Sequence, residues 1–285
     1  MAFDSAPIGV FDSGIGGLSV LMALRAALPH EDFVYLADSA CAPYGERGDD
    51  FVAQRTQAIA SHLRRAHGAK LLVIACNTAS AAGAQLVRRS NPGWPVVAIE
   101  PALKPAAYAT RSGAVGVWAT RGTVASARFA ALRDTVLAGA PQLRLATVAC
   151  NGLAHAIEQR AAGNMHDDEI DALLLRCLAD LGPLGTAPGQ IDTLVLGCTH
   201  YPLVRERIAR LAPPAVSLIE PGAPVARQAQ RLLHATGLLK QAPAGVTAPT
   251  GSLKLLATGQ PDALQAAAQR WLHSAARVER AGLDG

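Results

Sequence analysis

Two cysteines stand in matching settings. Cys76 ends the run Leu71-Leu72-Val73-Ile74-Ala75-Cys76-Asn77-Thr78, and Cys198 ends Thr193-Leu194-Val195-Leu196-Gly197-Cys198-Thr199-His200. Each run is apolar, then a small residue, the cysteine, and small polar residues. A short apolar run with β-branched members reads as a buried strand, so each thiol falls where a strand gives way to its loop. In open α/β sheets that carboxyl edge is where ligands bind. One such cysteine is most simply a small buried hydrophobe. Two in matched positions ask for a joint role.

A thiolate is a competent base, and cysteine's ordinary pKa of about 8.5 falls beside cations or helix N-termini. Two thiols on opposite faces of one carbon can pass a proton through it. One sulfur removes the proton, the other delivers one from behind, and the centre is inverted. For an α-amino acid this needs neither a leaving group nor a redox cofactor. The burden is a carbanion, which preorganised donors stabilise. Asn77, Thr78 and Thr199 are suitable residue types directly after the thiols. His200 could poise Cys198 or be structural. Asp12 could act in the same way beside Cys76, or hold a substrate ammonium.

The remaining cysteines, Cys41, Cys150 and Cys177, read as buried hydrophobes. An odd count argues against a disulfide framework. No C-x-x-C or H-x-x-x-H spacing occurs, so no metal site is expected.

Behind these residues lies an alternation of strands and helices. Ile8 to Phe11 is a strand that runs into Asp12-Ser13-Gly14-Ile15-Gly16-Gly17 and a helix over Leu18 to Ala27. Amides at such a helix start suit an anion. The plainer alternative is a strand–turn–helix junction with Asp12 or Ser13 as cap. Phe33 to Asp38 is a second strand, followed by a loop with the turn chemistry of Pro43-Tyr44-Gly45. There Tyr44 lines a pocket or covers the core. A helix over Asp50 to His67 leads to the Cys76 strand, and Pro95 to Pro101 holds another.

The pattern then restarts. Val115 to Thr120 parallels Ile8 to Ser13, a helix is expected over Thr123 to Arg133, and a strand over Leu143 to Cys150. A helix over Asp167 to Leu181 precedes the Cys198 strand, and Val216 to Pro221 echoes Val96 to Pro101. A duplication of roughly 100 residues is too long for a solenoid. It implies two similar, pseudo-symmetric α/β domains with mainly parallel sheets. They are expected over residues 1–100 with 220–285, and over 101–219. A cleft between the carboxyl edges would bring Cys76 and Cys198 face to face. Gln241 to Gly251 reads as a loop, Leu253 to Ala257 as a strand, and Pro261 to Arg280 as a closing helix.

Composition narrows the function classes. With 26 basic and 22 acidic residues among 285, the net charge is a mild +4. The arginines are scattered, as in Arg64-Arg65 and Arg88-Arg89, and read as solvated helix faces, not a nucleic-acid footprint. Aromatics, at 4%, are too sparse for a base-stacking platform. No apolar run reaches the roughly 18 residues of a membrane span, and Met1-Ala2-Phe3-Asp4 does not begin a secretory signal. A cytoplasmic protein is expected.

At this point Phe11-Asp12-Ser13-Gly14-Ile15-Gly16-Gly17, Pro43-Tyr44-Gly45, Ala75-Cys76-Asn77-Thr78-Ala79 and Gly197-Cys198-Thr199-His200-Tyr201-Pro202-Leu203 resemble the bacterial glutamate racemases of the aspartate/glutamate racemase superfamily. Ala119-Thr120 with Gly122-Thr123-Val124 also matches. The resemblance covers almost the whole chain. It implies a cofactor-independent two-base racemase that interconverts L- and D-glutamate and supplies D-glutamate for peptidoglycan. It makes Cys76 and Cys198 the acid/base pair, with Asp12 and His200 assisting. Asp12, Ser13, Pro43, Tyr44, Gly45, Asn77, Thr78, Thr120, Glu158, Thr199 and His200 would line the substrate. No cofactor or metal is implied, and a homodimer is usual. The chain departs from the family pattern at Asn151-Gly152, where proline is common. It also departs at Ser39-Ala40-Cys41-Ala42, which has no arginine.

Three rivals remain. An aspartate or hydantoin racemase would use similar paired cysteines. A non-catalytic binder of small anions would need the polar loops but no thiols at both strand ends. A cysteine hydrolase using Cys198 and His200 would leave Cys76 without a role.

Overall fold

A computed structural model describes residues 6–241, 248 and 250–283. The sequence readings for 1–4 and for most of 241–251 fall outside the described residues. The chain divides into two compact units, Met1–Ile99 with Gly222–Gly285, and Glu100–Pro221.

The first unit opens with β1 (Ile8–Asp12), α1 (Leu18–Ala27), β2 (Phe33–Ala37), α2 (Asp49–His67), β3 (Leu71–Ile74), α3 (Asn77–Ser90) and β4 (Val96–Ala98). Almost every strand residue is buried, as in a parallel sheet covered on both faces. That is why the strands read as unbroken apolar runs. Helix α2 carries Asp49 and Asp50 in its first turn and Arg64, Arg65 and His67 in its last, matching the helix dipole. It stops at Gly68, whose φ of 64° is the left-handed cap glycine accepts without strain.

The second unit follows with α4 (Leu103–Ala109), β5 (Ala114–Ala119), α5 (Arg121–Ala125), α6 (Ala127–Gly139), β6 (Arg144–Ala149), α7 (Leu153–Ala161), α8 (Asp167–Ala179), β7 (Thr193–Leu196), α9 (Arg205–Leu211) and β8 (Ser217–Ile219). The chain then returns to the first unit with α10 (Gly222–Ala235), β9 (Leu253–Ala257), α11 (Asp262–Leu272) and β10 (Val278–Arg280).

Among the described residues every strand pairing is parallel. The first sheet runs β10-β9-β2-β1-β3-β4 and the second β6-β5-β7-β8. Four adjacent strands of the first, β2-β1-β3-β4, which run to its β4 edge, have the same order as the whole of the second. The duplication read from the sequence is therefore one of topology as well as motif.

Two expected helices differ. The stretch expected as one helix over Thr123 to Arg133 is two, parted at Ser126. That residue is extended (φ −72°, ψ 142°), and its hydroxyl caps α6 by accepting the Phe129 N–H. The closing helix ends at Leu272, because His273 turns left-handed with φ 48°. Val278 to Arg280 instead add a strand beside β9. The Gln265 side chain holds this crossing by accepting the Val278 N–H and donating to the Ala276 carbonyl.

Candidate active site

In each unit the candidate residues gather at the carboxyl edge of that unit's sheet. In the first, Asp12 ends β1, the 39–46 loop follows β2, and Cys76 follows β3. Asp12 is fully buried. It does not cap α1, whose N-cap Gly17 makes no side-chain bond. Its carboxylate instead accepts the Gly14 N–H at 2.8 Å, bracing the glycine turn. Tyr35 secures the turn from below by donating to the Gly14 carbonyl at 2.6 Å. A Cβ at position 17 would lie 2.6 Å from Asp12 Cβ and 2.8 Å from the Tyr35 hydroxyl, so only glycine fits.

Cys76 is the N-cap of α3, its sulfur accepting the Ala79 N–H at 3.5 Å. A helix N-terminus favours negative charge at its cap. Ser13 Oγ lies 3.7 Å from the same sulfur and 3.4 Å from Asp12 Oδ1. Asn77 and Thr78 follow within α3 and are buried. Both the oxygen and the nitrogen of the Asn77 carboxamide are buried without a hydrogen-bond partner. Such orphans are rare, and each calls for an explanation.

The loop after β2 places Pro43, Tyr44 and Gly45 beside the glycine turn's sheet edge. The Ala42–Pro43 bond is cis. Tyr44 is buried in the first unit's core, so its ring covers the core. Its hydroxyl donates to Asp38 Oδ2 at 2.5 Å. Arg55 grips the same carboxylate with two bonds of 2.8 Å, and Thr258 adds one of 2.7 Å. Burial alone would raise the Asp38 pKa; the bonds from Arg55, Tyr44 and Thr258 outweigh it and hold the carboxylate below its ordinary range. Asp38 and Arg55 carried no signal in the sequence, because their pairing joins the end of β2 to the helix α2 across the intervening loop, with no fixed spacing to mark it.

In the second unit, Thr120 follows β5 and caps α5 by accepting the Thr123 N–H at 3.3 Å. Cys198 follows β7, with Gly197 before it. A Cβ on Gly197 would approach the Trp118 carbonyl to 2.7 Å, and that carbonyl accepts the Gly197 N–H at the same separation. Glycine thus lets the strand end lie tightly against β5. Thr199 and His200 are buried behind the thiol.

His200 links Cys198 to Glu158. Its Nδ1 lies 3.7 Å from Cys198 Sγ, and its Nε2 is 2.6 Å from Glu158 Oε1 on α7. Burial disfavours the charged ring, yet the bonds with Cys198 and Glu158 hold His200 well above its ordinary pKa. A charged imidazole donates from both nitrogens, so it offers one N–H to the sulfur and one to the carboxylate. Two of the cysteines read as core hydrophobes, Cys150 and Cys177, are buried side by side, while Cys41 is partly exposed on its turn.

These two edges can supply a thiol with a helix N-terminus and a hydroxyl, and a thiol with a cationic histidine. A family model described as Asp/Glu/Hydantoin racemase matches residues 18–229. The glutamate racemase of Pseudomonas syringae pv. tomato is 48% identical over 239 residues, spanning 84% of this chain and 82% of that protein. Glutamate racemase isoform RacE1 from Bacillus anthracis superposes with a TM-score of 0.82 at 28% identity, over 98% of both chains. Escherichia coli glutamate racemase, solved with L-glutamate and the activator UDP-MurNAc-ala, gives 0.80 at 31% identity, over 98% of this chain and 100% of that one. With the thiol-bearing strand ends recurring at equivalent places in two like sheets, and with matches of this breadth, the chain belongs to the Asp/Glu/Hydantoin racemase family.

Proposed function

We propose that this chain interconverts L-glutamate and D-glutamate without a cofactor, using Cys76 and Cys198 as the two acid/bases. The observation that carries the reading is the placement of both thiols. Each follows the third strand of a β2-β1-β3-β4-type sheet, and each has its own charge-stabilising neighbours. The names of the relatives support glutamate as the substrate. In the forward direction one thiolate takes the α-proton, breaking C–H and forming S–H. The other thiol gives its proton to the opposite face, breaking S–H and forming C–H. The two sulfurs finish with their protonation states exchanged.

The other roles follow from the local geometry. The orphaned Asn77 carboxamide offers a donor and an acceptor to the substrate's carboxylate and ammonium, with Thr78 and Thr199 close to the thiols in sequence and Thr120 at the end of β5, the strand that pairs with β7. Asp12 and Ser13 hold the Cys76 side, and His200 with Glu158 the Cys198 side. Pro43, Tyr44 and Gly45 form a wall fixed from behind by Asp38. We place the reaction in the cytoplasm, feeding D-glutamate to peptidoglycan, and the chain in a homodimer. Among the described residues no helix is long and apolar enough to cross a membrane.

The test is polarimetry on L-glutamate in deuterated water. Turnover should bring deuterium into the α position, and Cys76→Ala and Cys198→Ala should each abolish racemisation. Wild-type rates in either variant would exclude the two-base route. Light scattering that found only monomers at assay concentration would remove the dimer.

A further inference from the structure

The end of β9 reaches the first unit's sheet edge from the far end of the chain. Its register on β2 puts Ala257 beside Ala37, and the Thr258 N–H continues the ladder by donating to the Ala37 carbonyl at 3.0 Å. Thr258 therefore stands next to Asp38, where β2 gives way to the loop that holds Pro43, Tyr44 and Gly45. The Thr258 hydroxyl donates to Asp38 Oδ1 at 2.7 Å and accepts the Ala40 N–H at 3.2 Å. The next residue adds a second tie, the Gly259 N–H donating to Ser39 Oγ at 3.2 Å. A Cβ at position 259 would lie 2.8 Å from that oxygen and 3.1 Å from the Ala40 nitrogen, so the turn after β9 presses closely on the loop.

Asp38 is the fully buried hub of these contacts. Its Oδ1 accepts from Arg55 and Thr258, and its Oδ2 from Arg55 and Tyr44, which fills the acceptor sites of a carboxylate. The loop is thus tied at three points. Tyr44 is held by its hydroxyl, Cys41 by its N–H on the Asp38 carbonyl at 3.0 Å, and Ala40 through Thr258. We infer that Thr258 is a positioning residue for the proposed racemisation, its hydroxyl bridging Asp38 to the loop backbone so that the Pro43-Tyr44-Gly45 wall stands fixed before substrate arrives. A wall set in advance spares the cost of ordering the loop at binding. The inference rests on reading that wall as lining the substrate. It gives the C-terminal segment, which bears none of the residues assigned to the substrate, a part in the reaction.

Two substitutions separate the hydroxyl from the side chain's shape. Thr258→Val keeps the branched shape and deletes the hydroxyl, whereas Thr258→Ser keeps the hydroxyl. Loss of a hydrogen bond to a charged group should raise KM for L-glutamate about ten-fold in the valine variant, with kcat changed by less than about two-fold, and serine should restore KM. A merely structural role would lower the melting temperature and the amount of folded enzyme, which reduces the maximal rate and leaves KM alone. Hydrogen exchange reads the loop without substrate. The amides of residues 39–46 should exchange faster in Thr258→Val than in wild type, and those of α1 and β3 at the same rate. An unchanged KM in folded Thr258→Val, or a serine variant that behaves like the valine one, overturns the inference. Should valine prevent folding, the wild-type protein decides, because an Ala40 amide that exchanges at its unprotected rate overturns it as well. If the wild-type protein does not racemise glutamate the racemase reading fails, while the exchange comparison still decides whether Thr258 holds the loop.

Discussion

At the scale of single residues, Asn77 is the most exposed to test. A buried polar group without a partner costs about 1–3 kcal/mol, and both ends of this carboxamide are in that state. Replacing it with an apolar side chain of similar size removes the penalty. Asn77→Leu should therefore raise thermal stability by about 1 kcal/mol while lowering kcat/KM about a hundred-fold, through the loss of donors to the developing carbanion. A variant that melts higher and racemises normally would show that the carboxamide does not meet the substrate. The opposition of stability and activity at one position is what a preorganised site produces. His200 shows a different logic. It was visible two residues after Cys198, but its partner Glu158 lies on α7. Spacing alone gave no reason to join them, and only the family resemblance pointed to that glutamate.

Elements were legible wherever one physical rule governed them. The central strands β1, β2, β3, β5 and β7 were found because both faces are buried, and strand ends because Asp, Cys or Pro interrupts the apolar run. Helix α3 was not read, since its buried face is built of small residues such as Ala79, Ser80, Gly83 and Ala84. These show no apolar stripe, yet they allow close packing, and a Cβ at Gly83 would reach Thr56 Cβ at 2.6 Å. The break at Ser126 was hidden because a capping serine leaves the helical pattern on either side intact. Where a strand begins is fixed by equally local bonds. Asp192 enters β7 by accepting the N–H groups of Arg111 and Ser112, each at 2.8 Å, and the Thr110 hydroxyl at 2.7 Å. Burial raises its pKa, but the bonds from Thr110, Arg111, Ser112 and Thr193 win, and the value falls to about 2. A depressed carboxylate contributes stability that is present above its unfolded pKa and lost as pH falls through the folded value. Asp192→Asn should thus destabilise the protein at neutral pH, and the gap from wild type should close as pH falls from about 4 towards about 2. Chemical denaturation across that range checks it; a gap constant with pH would mean that the charge is irrelevant.

At the scale of the molecule, the two units differ in how they are drawn from the chain. The second, Glu100–Pro221, is one continuous stretch, whereas the first needs Gly222–Gly285 to complete it. In the first unit α1 packs on α10, and β2 has β9 as its second neighbour. The buried Lys70–Glu31 pair, at 2.7 Å, is closed by the Lys240 N–H donating to the same glutamate. Fragment 100–221 should accordingly show a cooperative thermal transition by itself, while fragment 1–99 should not, for want of α10 and β9. The reverse result would contradict this division. The same arrangement has a consequence for the order of events on the ribosome. The stretch that bears Cys198 has all its sheet partners once residue 221 has emerged. The stretch that bears Cys76 was made first, yet it must keep the apolar face of α1 and the bare edge of β2 unsatisfied until the last sixty or so residues arrive. The half synthesised earliest is the one finished last, and during that wait it is the half that a chaperone would have reason to hold.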